Sequence, residues 1–290
     1  MSLLTVHHVT VYRYSQPVGL GEHRMMFRPR ESHDLKLVRT CLSISPKPDR
    51  LRWLHDVFDN SIEIAQFHGK TSELRFDSSV TLEHVETTVP EYPLEEHART
   101  YPFRYSDEDV ASLSRGLVQH YPSANVAQWA LQFLDAAGST GTMKLLRAIT
   151  LGIREQFKYS RRMEKGVQSP DETLKTRSGS CRDFAILMME ATRSLAIAAR
   201  FVSGYIFVPG NDTKTAGGGA THAWMQAYLP GAGWIDFDPT NSIVGNRNLI
   251  RVAVAWSPEA VMPLSGTYSG PAGAFLSMDV TVNVTEEPAG

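Results

Sequence analysis

Over residues 1–90 apolar and polar positions alternate with a period of two, and no helical period interrupts them. Leu4 through Tyr14 is the first predicted strand. In 35–46, Val38, Thr40, Leu42 and Ile44 fall on one face. Residues 53–67 read as a hairpin around Asp59-Asn60, with Ile62 and Ile64 flanking Glu63, and the alternation continues through Leu74, Phe76, Val80 and Leu82. β-Branched and aromatic residues are frequent, so an antiparallel, sandwich-like β domain over 1–90 is expected. Three prolines break the pattern in 89–103, which places a linker over 91–105.

The period then changes to that of helices. Ser106 and Asp109 have capping-box spacing at the head of one, and 125–138 and 141–157 follow. In 141–157, Leu145, Ile149, Ile153 and Phe157 form one stripe at steps of four. Pro170 suits the first turn of a short helix. A further helix runs from Cys181 to Leu195, with Phe184, Leu187, Met188, Ala191 and Leu195 predicted to face inward. Strands return at 200–207 and at 221–229 and 233–238, the last two on either side of Pro230-Gly231-Ala232. The tail, 246–290, holds two more alternating runs, 251–256 and 275–284; the last is a candidate to return to the N-terminal sheet. The division is therefore 1–90, a linker over 91–105, a unit of helices and strands over 106–245 and a β segment over 246–290. The class is α+β, with helices packed on an antiparallel sheet.

Charge adds little. The chain has 290 residues, with 29 Lys and Arg against 31 Asp and Glu, for a net charge of −2. That balance, with no block of like charge, argues against a nucleic-acid or membrane partner. The N-terminus lacks a basic region followed by an apolar run, and two cysteines make no disulfide framework, so a cytoplasmic protein is expected. No C-x-x-C, H-E-x-x-H or EF-hand-like loop is present, so neither a metal nor another cofactor is expected.

The chemistry centres on Cys181. Ser180 and Asp183 have capping-box spacing, which puts Cys181 at the first helical position, where free amides and the helix dipole favour a thiolate. Gly179 is expected to let the chain turn sharply before it. The alternative is a buried cysteine that serves only as a small hydrophobe. On strand 221–229, alternation sets His222, Trp224, Gln226 and Tyr228 on one face, opposite a core face of Ala223, Met225, Ala227 and Leu229. His222 is a candidate base. The separation from His222 to Asp238 is even, so a regular hairpin brings them to one face, with direct opposition among the registers that parity allows. Asp236 has the same parity; for it a solvated strand carboxylate is the better reading.

These segments, Ser178-Gly179-Ser180-Cys181-Arg182-Asp183-Phe184-Ala185, Thr221-His222-Ala223-Trp224 and Gly233-Trp234-Ile235-Asp236-Phe237-Asp238-Pro239-Thr240-Asn241, resemble the bacterial transglutaminase-like proteins. The resemblance is strongest over 140–245 and extends to the N-terminal β region. It implies a papain-like transglutaminase core with Cys181 as nucleophile, His222 as base and Asp238 as third member. It also suggests Tyr159 and Trp224 as oxyanion or substrate-contacting residues. Ile186 and Gln226 depart from the family pattern, in ways expected to alter the substrate cleft. The implied reaction is acyl transfer on a peptide or protein carboxamide through a Cys181 thioester. A cysteine peptidase or amidase using only water, and a non-catalytic peptide-binding scaffold, are the alternatives.

Overall fold

The computed structural model describes residues 2–86, 92–136, 139–162, 166–210 and 215–286. Residues 87–90 at the end of the expected β domain, residue 91 at the start of the expected linker, and residues 211–214 of the segment before His222 lie outside them. Strands β1 (Ser2–Met25), β2 (Leu35–Ser45), β3 (Arg50–His55), β4 (Ser61–Gln66) and β5 (Lys70–His84) form the first sheet in the order β2-β5-β1-β4-β3. Its inward positions are the alternating ones: Leu74, Phe76, Val80 and Leu82 are all at most 3% exposed. One expectation fails in β2. The pairing with β5 slips between Leu37 and Arg39, so Val38 sits in a bulge and is 53% exposed.

Helices α1 (Asp107–Leu117), α2 (Ala124–Leu131), α3 (Thr142–Gln156), α4 (Pro170–Thr176) and α5 (Cys181–Ser194) follow. Ser106, Ser123 and Ser169 cap α1, α2 and α4, each side chain accepting from a backbone amide. Two short ladders tie the helical region together: β6 (Thr100–Tyr101) with β7 (Thr140–Gly141), and β8 (Lys158–Tyr159) with β9 (Ser178–Gly179). The second sheet comprises β10 (Ala199–Ile206), β11 (His222–Leu229), β12 (Gly233–Asp238), β13 (Ile243–Val244) and β14 (Leu249–Ala255), in the order β13-β12-β11-β10-β14. The segment after 245 divides between the sheets. β14 joins the second, whereas β15 (Leu264–Ser269) and β16 (Phe275–Glu286) pair antiparallel with β1.

The two sheets share a core. One apolar cluster runs from Leu4 and Leu82 through Ile149 and Phe184 to Phe237. Polar contacts lock the junction: His8 Nδ1 meets Tyr205 Oη at 2.9 Å, and the Asn60 side chain bonds both the carbonyl (2.8 Å) and the amide (2.9 Å) of Val254. His7, on the opposite face of β1, is exposed.

Helix α5 is buried on nearly every side, because β11 covers one flank and α2, α3 and α4 cover others. An inward stripe alone was expected, but Ile186 and Met189 are also fully buried. Burial extends to a charged pair at its C-terminal end, where Arg193 Nη1 donates to Glu190 Oε1 at 2.8 Å with both side chains inaccessible. The same guanidinium donates to the carbonyls of Gly116, Ala199 and Trp256, and so joins α1, β10 and the end of β14. Removing one partner of such a pair leaves an uncompensated buried charge. Arg193→Ala is expected to cost about 3–5 kcal/mol in urea unfolding; a loss under ~1 kcal/mol would contradict the role given to the pair.

Candidate active site

Cys181 opens α5, with Ser180 as N-cap. The Asp183 carboxylate accepts the Ser180 amide and hydroxyl, both at 2.8 Å. Its other oxygen accepts from Arg162 Nη1 at 2.8 Å and the Gln168 amide at 2.7 Å, so the fully buried Asp183 pins the segment facing the helix start. Gly179 does not supply a turn with positive φ, as expected from the sequence; it supplies space. A Cβ there would stand 2.9 Å from Asp183 Cβ and 3.2 Å from the Phe184 ring. Close approach of β9 to the first turn of α5 therefore requires glycine.

His222 begins β11 and is 1% exposed; Asp238 ends β12 and is 0% exposed. Their side chains meet at 2.8 Å, Nε2 to Oδ2. The register differs from direct opposition: Gln226 faces Asp236 and Met225 faces Phe237. Asp238 therefore reaches His222 diagonally, one two-residue step along the ladder, a separation a carboxylate and an imidazole can span. Asp238 is itself held by the Thr240 amide on Oδ1 (2.9 Å) and by Asn241 Nδ2 on Oδ2 (2.8 Å). Burial works against its charge, but His222 and these donors prevail and its pKa is lowered.

Burial likewise works against a charged His222, and the Asp238 carboxylate overcomes it, pushing the imidazole pKa up to about 10. The nearby Cys181 adds to that rise. With Nε2 committed to Asp238, Nδ1 is the nitrogen left for the sulfur; it has no hydrogen-bond partner in the resting chain. Catalytic contacts of this kind tighten when substrate binds.

Trp224 does not contact a substrate surface: it is fully buried and nearly parallel to the His222 ring, 5.9 Å between centroids. Its indole donates to Asp236 Oδ1 at 2.6 Å, and Gln226 Nε2 donates to the same oxygen at 2.9 Å. Asp236 is thus no solvated carboxylate. It is 6% exposed, and burial raises its pKa. The supposed polar face of β11 is buried because β11 is an inner strand covered on both sides. The two departures expected in the cleft lie elsewhere: Ile186 in the core of α5, and Gln226 between Arg200 and Asp236. Tyr159 pairs with Gly179, two residues before the nucleophile position. Its pKa is pushed up to about 12, chiefly by burial and then by the charge of Cys181. The hydroxyl therefore remains a donor across neutral pH.

Two contributors escaped sequence reasoning. Asn241 holds Asp238 and also the loop before His222, accepting from the Ala216 amide (2.7 Å) and donating to its carbonyl (3.0 Å). Gly217, in that loop at φ +94°, lies against the imidazole; a Cβ would stand 2.5 Å from Nδ1. The spacing of Asp238 and Asn241 was the only available signal, and it reads equally as a turn.

A thiol at a helix start, an imidazole on an inner strand and a carboxylate on the next strand define the papain-like class of thiol-enzyme scaffolds. Residues 4–83 match the bacterial transglutaminase-like N-terminal region, and residues 128–239 match the transglutaminase-like superfamily. The chain belongs to that superfamily. An uncharacterized Mycobacterium tuberculosis protein is 28% identical over 300 residues, covering 96% of this chain and 91% of its own. An uncharacterized Mycobacterium leprae protein is 41% identical over 110 residues, so the alignment spans only 37% of either chain. A crystal structure from Cytophaga hutchinsonii, provisionally described as a cysteine protease, has a TM-score of 0.72 and 19% identity, over 100% of this chain and 92% of that one. That likeness is one of fold. No helix among the described residues is long and apolar enough to cross a membrane.

Proposed function

We propose that the protein is a thiol enzyme that transfers acyl groups from peptide or protein carboxamides through a Cys181 thioester. The observation that carries this reading is the buried His222–Asp238 pair, 2.8 Å from Nε2 to Oδ2, which leaves Nδ1 unpartnered for the Cys181 thiol at the start of α5. A peptide-binding groove has no need of these three groups in this order.

In the proposed reaction the Cys181 sulfur, as thiolate, attacks the carboxamide carbon. The backbone N–H of Cys181 and the Tyr159 hydroxyl donate to the oxyanion. Protonated His222 gives its Nδ1 proton to the departing nitrogen as the C–N bond breaks, leaving a thioester and a free amine or ammonia. Neutral His222 then takes a proton from the acceptor, an amine or water, as that nucleophile adds to the thioester. The C–S bond breaks and the thiolate returns. Cys181 is 7% exposed and His222 1% exposed. Exclusion of water at such a site favours an amine that is itself bound over hydrolysis.

The test is incubation with a glutamine-containing peptide and a labelled primary amine, followed by mass spectrometry. Covalent incorporation of the amine, dependent on Cys181, is the expected result. Deamidation or cleavage without incorporation would replace transfer by hydrolysis, the cysteine peptidase or amidase reading, and neither product would favour a binding scaffold. Tyr159→Phe is expected to lower kcat by about 10²-fold with little change in KM, the signature of a lost oxyanion donor. An unchanged kcat would reduce Tyr159 to a packing residue.

A further inference from the structure

A cavity of about 350 Å³ lies at the far end of the β11–β12 hairpin from His222, lined by Arg200, Tyr228, Trp234, Trp256, Glu108 and Asp109 among others. Tyr228 is six residues along β11 from His222, roughly 20 Å at the rise of a strand. The cavity is therefore separate from the thiol site.

Its polar groups are arranged around an aromatic floor. The Arg200 guanidinium lies 4.1 Å above the Trp234 ring, with Nε donating to Gln226 Oε1 at 2.8 Å. Among the described residues no acceptor is within hydrogen-bond reach of its two terminal nitrogens, and no carboxylate pairs with it. Asp236 is already engaged by Trp224, Gln226 and Arg251. Desolvation, and then the nearby charge of Arg251, pulls the Arg200 pKa down to about 9, only partly offset by the charge of Asp236. Beyond Trp234 stands Tyr228, with ring centroids 5.4 Å apart, and beyond that Asp109, whose Oδ1 is 3.5 Å from the Tyr228 hydroxyl. Glu108 is exposed beside it. Acidic residues in the first turn of α1 suit the helix dipole, which explains their sign but not their opening onto a cavity shared with an unpaired guanidinium.

A cation at one end, carboxylates at the other and an aromatic surface between them complement a ligand of the reverse polarity. A fork of guanidinium N–H groups suits a carboxylate, an aliphatic stem suits the indoles, and an ammonium suits the acidic end. The cavity volume is within the range of small-ligand sites. A lone anion would meet Glu108 and Asp109, and a lone cation would meet Arg200. We propose that this cavity binds an ω-amino carboxylate, the chemistry presented by free lysine or by a peptide that ends in lysine.

The experiment titrates the full chain with 6-aminohexanoic acid, followed by calorimetry and by tryptophan fluorescence, since two indoles line the site. Saturable binding is expected, with hexanoic acid and hexylamine each at least about tenfold weaker. Arg200→Gln should abolish binding. Glu108→Gln, at an exposed helix turn where folding is not at stake, should weaken it severalfold. Cys181→Ala should bind unchanged, so the outcome is independent of the thiol chemistry. A lysine-terminated peptide, its C-terminal amide and free lysine then identify the source: binding of the peptide acid but not the amide indicates a chain terminus, and binding of lysine alone a metabolite. Absence of saturation, equal affinity for hexanoic acid, or indifference to Glu108→Gln would each overturn the proposal.

Discussion

Cys181→Ala is expected to reduce acyl transfer by more than about 10⁴-fold while leaving the fold intact. The size of the loss follows from the role: without sulfur there is no thioester, and the remaining imidazole and oxyanion donors cannot form one. The fold should survive because the thiol occupies the first turn of a helix secured elsewhere. Asp183 holds the Ser180 amide, and Phe184, Leu187 and Met188 anchor the helix in the core. Unfolding midpoints within a few degrees of the parent would confirm that the loss is chemical. Cys41 provides a control within the same chain: it is exposed on β2, whereas Cys181 is buried. If exposure governed reactivity, a small alkylating probe would label Cys41 first. Faster labelling of Cys181 at neutral pH is expected, because helix amides and the His222 ring are placed to stabilise charge on its sulfur. Faster labelling of Cys41, or a Cys181→Ala protein that retains transfer, would remove the thiol from the mechanism.

Much of this site was legible in the residues because its parts are local. A cap, a glycine and an apolar period place Cys181 at a helix start, and two alternating runs around a turn set His222 and Asp238 on one face. What was not legible depends on register and on coverage. Parity fixes the face but not the step, so direct opposition of His222 and Asp238 and their actual diagonal contact were indistinguishable. The polarity of Trp224, Gln226 and Asp236 suggested solvent; they instead satisfy one another, together with Arg200 and Arg251, inside the protein. Burial of α5 beyond its stripe likewise follows from how many elements surround it, which no helical period encodes. The bulge at Val38 arises from the pairing with β5, a contact between distant segments.

The contacts around Asp238 make Asp238→Asn the second decisive substitution. Three donors converge on this carboxylate: His222 Nε2 and Asn241 Nδ2 on one oxygen, and the Thr240 amide on the other. A carboxylate accepts all three, but an amide cannot. With its oxygen toward His222, the new NH₂ faces the Thr240 N–H; with the amide reversed, it faces both His222 and Asn241 and forces the imidazole into the other tautomer. Either arrangement loses the negative charge that holds the ring protonated. A drop in kcat of about 10²- to 10⁴-fold is expected. The alkaline limb of the pH–rate profile should also move. In the parent the His222 pKa is raised from 6.5 to about 10, so the limb extends well above neutrality; without Asp238, only the smaller contribution of Cys181 opposes desolvation, and the limb falls back toward neutral pH. Stability follows with the same signs. The raised pKa of His222 contributes fully below 6.5 and is lost as pH rises through about 10, whereas the lowered pKa of Asp238 contributes above 3.8 and is lost as pH falls through its folded value. The parent should therefore lose stability between neutral and alkaline pH by an amount the variant does not show. Parallel stability curves for the two proteins from neutrality to pH ~10 would mean that the pair is not charged in the folded state.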